Sequence, residues 1–184
     1  MSMTQLDPIA ALVVIDLQKG IARSPKAHPV ESVLSNAAAL AASFRKRGLP
    51  VVLVNVDGGA PGRTQGTFNR AGLPPDWMEL VPELNAQPSD LLVTKRTWGA
   101  FTATGLDEKL RALGVTQIVL AGISTSIGVG STARFAYELG YNMVLAADAM
   151  TDTDPEAHRV NVEKIFPRLG EVDTTENILQ FLAR

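Results

Sequence analysis

TQIVLAGISTSIGVGSTARFAYEL, residues 116–139, is the stretch that decides the fold. Gln117, Ile118, Val119, Leu120 and Ala121 read as the end of a buried strand, and Gly122 closes it. A small, hydroxyl-bearing turn follows at Ser124, Thr125 and Ser126, and then a helix with Ala133, Ala136 and Tyr137 on one face. The first turn of a helix leaves its N–H groups unpaired. A strand that breaks through such a turn into a helix therefore aims several donors at one point. An ordinary strand-to-helix connection has the same pattern, so this stretch alone gives a candidate site.

Outward from that stretch, the same alternation repeats. IAALVVI (9–15) and PVVLVN (50–55) are apolar and β-branched, as strands buried on both faces are. Between them, residues 30–47 carry Val33, Ala37, Leu40, Ala41 and Phe44 at helical spacing, with Gly48 as the stop. DLLVT (90–94) is a short third strand. A helix is expected from Thr104, where Thr104 and Asp107 have capping-box spacing, to Gly114. NMVLAA (142–147) reads as a fifth strand ending at Asp148, and Asp154-Pro155 opens another helix. A short sixth strand is expected at 170–172. A last helix follows, boxed by Asp173 and Glu176, with Ile178, Leu179 and Leu182 inward. The expected fold is a single three-layer α/β domain over residues 1–184. Its core is a Rossmann-like parallel sheet of about six strands with helices on both faces.

Composition narrows the function. Apolar residues make up 46% of 184, which suits one globular domain with a sizeable core. The net charge is −2 with no basic block, so nucleic acid is not an expected partner. There is no cysteine, which excludes disulfides, thiolate metal sites and a thiol nucleophile together. The run from Ile9 to Ile15 is too short to span a bilayer and ends in an aspartate, so no membrane partner is expected. Lack of disulfides is compatible with a reducing cytoplasm, the expected location.

In parallel sheets, ligands bind at the carboxyl ends of strands. That rule selects Asp16, Asp57, Lys95, the Gly122–Gly128 turn and Asp148. Asp16 and Lys95 both emerge from apolar strands and are natural partners. Such a pair is either an acid/base unit in a partly dry cleft or a structural ion pair closing the sheet. The excursion 58–89, rich in Gly and Pro, holds Arg63, Phe68, Arg70 and Trp77, which either line a pocket or sit in a surface loop. His28 and His158 lie in polar surroundings away from the expected strand ends and read as surface residues. No His–x–His or His–x3–His pair, G-x-S-x-G elbow, G-x-G-x-x-G or P-loop is present.

Three segments together resemble the isochorismatase-like hydrolases, the cysteine hydrolase superfamily that includes the nicotinamidases. VVIDLQKG (13–20) is similar to the family's first motif, TKRTWGAF (94–101) with GLDEKL (105–110) to its second. AGISTSIGVGSTARFAYELGY (121–141) with VLAADAM (144–150) is similar to its third. The resemblance places the catalytic aspartate on Asp16 and the catalytic lysine on Lys95. It puts Gly128 where most members carry the cysteine nucleophile. It also implies a cis peptide between Ile123 and Ser124, which would turn the Ser124 and Gly128 N–H groups toward one point. Gln18, Trp98, Phe101, Ser124, Thr125 and Ser126 become candidate substrate contacts. No cofactor and no metal are expected, because Asp57 has no neighbouring histidine.

With glycine at 128 the acyl-thiol route is closed. Family members that lack the thiol hydrolyse a vinyl ether. The resemblance thus implies a hydrolase of a small, anionic substrate in which Asp16 is the general acid and Lys95 orients it. Two alternatives stand beside it. One is a non-catalytic homologue that keeps the pocket as a small-molecule site. The other is an amidase using Ser124, Ser126 or bound water. Family members are commonly oligomeric, so a homo-oligomer, dimer or tetramer, is expected.

Overall fold

The structure, a computed structural model, describes residues 2–24, 27–66 and 72–184. Its six strands are β1 (Ala10–Ile15), β2 (Val51–Val56), β3 (Leu91–Lys95), β4 (Gln117–Ile123), β5 (Asn142–Thr151) and β6 (Glu171–Asp173). They form one sheet in the order β3-β2-β1-β4-β5-β6, and every pairing is parallel. The helices are α1 (Lys19–Ala22), α2 (Val30–Lys46), α3 (Leu106–Ala112), α4 (Gly130–Glu138), α5 (Pro155–Val160) and α6 (Thr175–Ala183). The chain winds outward from β1 to β3, then returns to lay β4 on the other side of β1. The crevice for a ligand belongs at that reversal.

Alternation along β1 explains the layers. Ala10, Leu12 and Val14 face a core with Val33, Ala37, Leu40 and Phe44 of α2 and Ile178 and Leu182 of α6. Ala11, Val13 and Ile15 face the opposite core with Leu106 and Leu110 of α3, Ala133 and Ala136 of α4, and Phe166. A strand apolar at every position is what two buried faces require. Each fully buried Leu or Phe contributes about 1.5–3 kcal/mol. Among the described residues no helix is long and apolar enough to cross a membrane.

Several boundaries differ from the sequence reading. β5 runs on to Thr151 instead of ending before Asp148, across a register shift opposite Leu120 and Gly122. Asp148 leaves the ladder there, and its carboxylate accepts from Thr175 N–H and Oγ–H at the start of α6. It holds the start of α6 and does not line the cavity that contains Asp16. The Thr104/Asp107 box does not form, because Gly105 in a left-handed conformation is the N-cap of α3 and Asp107 accepts from the Tyr141 hydroxyl. The cap of α6 is Thr174 rather than Asp173, whose carboxylate is taken up by Met3 N–H, Thr174 N–H and Asn177. Asp154 does cap α5, with Pro155 at its first position. Tyr137 is exposed, unlike Ala133 and Ala136.

Candidate active site

Asp16 follows β1 directly, and its backbone turns left-handed there (φ 52°), a conformation a non-glycine residue adopts at a cost. The turn brings its carboxyl group inward, where it is only 4% exposed. Lys95 ends β3, two strands away, and its long side chain reaches across the end of β2. Lys95 Nζ, at 2% exposure, donates to Asp16 Oδ2 at 2.7 Å and to the Thr97 carbonyl at 3.2 Å. Asp16 Oδ1 is buried with no hydrogen-bond partner, a condition it shares among the described residues only with Asn161 Oδ1. Burial pushes the Asp16 pKa up to about 6, against the pull of the Lys95 charge and its hydrogen bond.

These groups open into a cavity of about 410 Å³. Its floor is Asp16, Lys95 and Gly128, and its walls include Ile21, Trp77, Trp98, Ile123 and Ser124. Among the described lining residues Lys95 is the one cation, and it already faces Asp16. Gly128 matters by its lack of a side chain. A Cβ there would stand 2.9 Å from Ile15 Cγ2 and 3.1 Å from Asp16 Oδ2. Trp77 lies against Gly20 so closely that any Cβ on residue 20 would overlap the indole ring.

The turn after β4 is the structural centre of the site. The Ile123–Ser124 peptide is cis, and residues Thr125–Val129 form a π-helical turn before α4. Ser124 and Gly128 line the cavity, as does Trp98, which is 62% exposed. The other expected contacts lie elsewhere. Thr125 is fully buried and shares a hydrogen bond with His158, while Ser126 donates to Asp152. Phe101 stacks near Tyr141 in the core on the far side. The Gln18 amide is 0% exposed and internally committed. Its Oε1 accepts from Val56 N–H, and its Nε2 donates to the Val56 and Trp77 carbonyls. It positions the wall rather than the ligand. Asp57 lies beyond β2 outside the cavity lining, with its N–H on the Lys95 carbonyl. Arg63 and Arg96 are exposed and do not line the cavity. Phe68 and Arg70 lie outside the described residues.

His28 is exposed, as the surface reading expects, but His158 is not. They come together at the end of β5, with ring centroids 4.5 Å apart in an edge-to-face contact. His158 is half-buried, while His28 remains exposed on its outer side. Asp152 and Thr153 were missed entirely. The apolar Ala149 and Met150 after Asp148 are the signal in the sequence that β5 continues toward them. Among the described residues no group of three or more His, Asp or Glu side chains is arranged to hold a metal ion.

Comparison with known proteins accords with this geometry. The isochorismatase domain matches residues 10–177. An uncharacterized isochorismatase family protein of Bacillus subtilis is 44% identical over 180 residues, covering 92% of each chain. The structure of an isochorismatase family protein from Burkholderia thailandensis superposes with a TM-score of 0.94 at 41% identity, over all of both chains. N-carbamoylsarcosine amidase from Thermoplasma acidophilum superposes with a TM-score of 0.73 at 26% identity, over 91% of this chain and 97% of that one. With its sheet order, its strand-end aspartate and lysine and its full-length relatives, this chain belongs to the isochorismatase family.

Proposed function

We propose that this protein hydrolyses a small substrate by acid–base chemistry at Asp16 and Lys95, without a nucleophilic side chain. The observation that carries the reading is the buried Asp16–Lys95 pair on the cavity floor, with Asp16 Oδ1 unpartnered and its pKa raised to about 6. A carboxyl group held near neutrality in an apolar cleft serves as a general acid. In vinyl-ether hydrolysis Asp16 gives its proton to the enol carbon, leaving an oxocarbenium ion. Water adds to that ion, and its extra proton returns to Asp16. The resulting hemiketal collapses to a carbonyl compound and an alcohol. Lys95 orients the carboxyl group and faces a single anionic or hydrogen-bonding group of the substrate. The apolar body of the substrate rests against Trp77 and Trp98.

The test is turnover by wild type and Asp16→Asn on isochorismate, read as pyruvate release, beside a panel of small amides read as ammonia release. Pyruvate release that disappears in the variant supports the acid mechanism. Ammonia release from wild type would replace it with an amidase in which water takes the place of the thiol. Ligand-induced thermal stabilisation with no turnover on either panel would favour a binding homologue.

A further inference from the structure

The turn after β4 has two faces. Ser124, Ile127 and Gly128 look into the cavity. Thr125 and Ser126 look the other way, onto the end of β5 and the start of α5. Ser126 N–H and Oγ–H both donate to Asp152 Oδ2 at 2.7 Å. The other oxygen, Oδ1, accepts from Thr153 N–H at 2.8 Å, so this carboxylate, 1% exposed, is fully committed. Thr125 Oγ1 shares a 2.8 Å hydrogen bond with His158 Nδ1. His28, from the segment before α2, stands edge-on to the His158 ring and shares a 3.1 Å hydrogen bond with Thr151 Oγ1. Asp152, His28 and His158 do not line the cavity.

We infer that His158 and Asp152 are positioning residues, which set the Ser124–Gly128 turn against Asp16 by holding Thr125 and Ser126 from behind. Two adjacent turn residues gripped by two side chains from a different segment have little freedom to slide. Ser124 before them and Ile127 and Gly128 after them then present their cavity face at a fixed place. Small displacements of groups that surround a reacting centre are costly in rate. The grip on Thr125 is also the part that responds to protons. His158 is faced by His28 from before α2, which in turn shares a hydrogen bond with the Thr151 hydroxyl, by Asp152 from beyond β5, and by the Thr125 hydroxyl. On its own helix, Arg159 is paired with Glu156 and Glu163. Burial first, and then the neighbouring His28, hold the His158 pKa below its ordinary value, while Asp152 pulls the other way. His158 is therefore neutral at pH 7. On acidification both its ring nitrogens become donors, and the Thr125 hydroxyl must serve as the acceptor.

Amide NMR of 15N-labelled protein without substrate tests this directly, so it does not depend on the proposed hydrolysis. Wild type, His158→Ala, His158→Asn and Asp16→Asn are compared between pH 5 and 8. In His158→Ala the Ser124 and Gly128 amide peaks should move, while those of β2 stay in place. His158→Asn, whose amide can meet Thr125 from the place of Nδ1, should bring them back. In wild type the Gly128 peak should titrate together with the His158 ring protons. That step should persist in Asp16→Asn and vanish in His158→Asn, where only the step of the Asp16 carboxyl beside Gly128 is left. A folded His158→Ala with an unmoved Gly128 peak overturns the inference. So does a Gly128 titration lost in Asp16→Asn but kept in His158→Asn. If the alanine variant does not fold, the wild-type, Asn and Asp16→Asn titrations decide alone. The kinetic arm rests on the hydrolase reading. On a substrate that turns over, His158→Ala should lower kcat by about tenfold or more with KM within about twofold. A change in KM alone would overturn the positioning role.

Discussion

Two buried carboxylates bracket β1. Asp7 stands before its first residue and Asp16 after its last, at 7% and 4% exposure. Burial works against ionisation at both. Asp7 overcomes it, because Asn142, Thr116 and Gln5 side chains donate to its oxygens and hold its pKa below the ordinary 3.8. Asp16 does not. It has one donor, Lys95, and one oxygen with none, and its pKa rises to about 6. The strand and the residue type are shared, so the difference comes from the donors supplied. A carboxylate fully supplied with donors stays ionised and closes the amino end of the sheet. One left short keeps its proton near neutrality and can hand it to a ligand.

The contrast breaks most visibly in turnover. Asp16→Asn should lower kcat by about 10²–10⁴-fold, whereas Asp7→Asn should leave it within about twofold. Equal losses would mean that the two ends of β1 are not distinct. The pH profile sharpens the same point. A general acid with a pKa of about 6 gives a rate that is level below that value and falls about tenfold per pH unit above it. A rate that instead rises through pH 6 would make Asp16 a base.

A smaller effect is expected at Gly128. Adding one methyl group by Gly128→Ala presses on Ile15 Cγ2 and on Asp16 Oδ2, the oxygen that Lys95 holds. Chemical denaturation should show a loss of about 1–3 kcal/mol, as for other overpacked core sites. The smallest effects lie in stability against pH, where the two aspartates have opposite signs. Asp7, with a lowered folded pKa, stabilises the fold above 3.8, and that contribution fades as pH falls through its folded value. Asp16, with a raised one, begins to cost stability as pH rises above 3.8, and the cost is complete above about 6. Asp7→Asn should thus be about 1 kcal/mol less stable than wild type at pH 7, and the gap should narrow as pH falls to 3. Relative to wild type, Asp16→Asn should gain stability between pH 4 and 7. Urea melts at the three pH values read both.

The parts of this molecule that were legible in its sequence are those governed by local pattern. β1 is apolar at every position, β2 and β4 carry long apolar runs, and α2 spaces Val33, Ala37, Leu40, Ala41 and Phe44 along one face, so their place in a three-layer sheet follows from pattern alone. Asp16 and Lys95 were legible because each stands at the carboxyl end of a strand. What was not legible depends on distant partners. Asp148 looks like a strand terminus, yet the strand continues because α6 supplies two donors for that carboxylate. Gln18 reads as a polar contact for substrate until the Val56 and Trp77 backbones claim all of its amide. His28 and His158 are 130 positions apart, and no local pattern signals that their rings meet.

The Gln18 amide has one consequence for how such a protein can diversify. It fastens Val56 and Trp77, the two feet of the long excursion beyond β2, to the segment that follows Asp16. Backbone bonds of Lys19 and Gly20 to Glu79 and Trp77, and of Val81 to Leu17, add to the fastening. Whatever lies between those feet can be exchanged, lengthened or recomposed as a cassette while the acid and its lysine keep their separation. The cavity lining that lies there, Gly58 and Leu73, is in this way separable from the reacting pair and from the Trp77 and Trp98 walls.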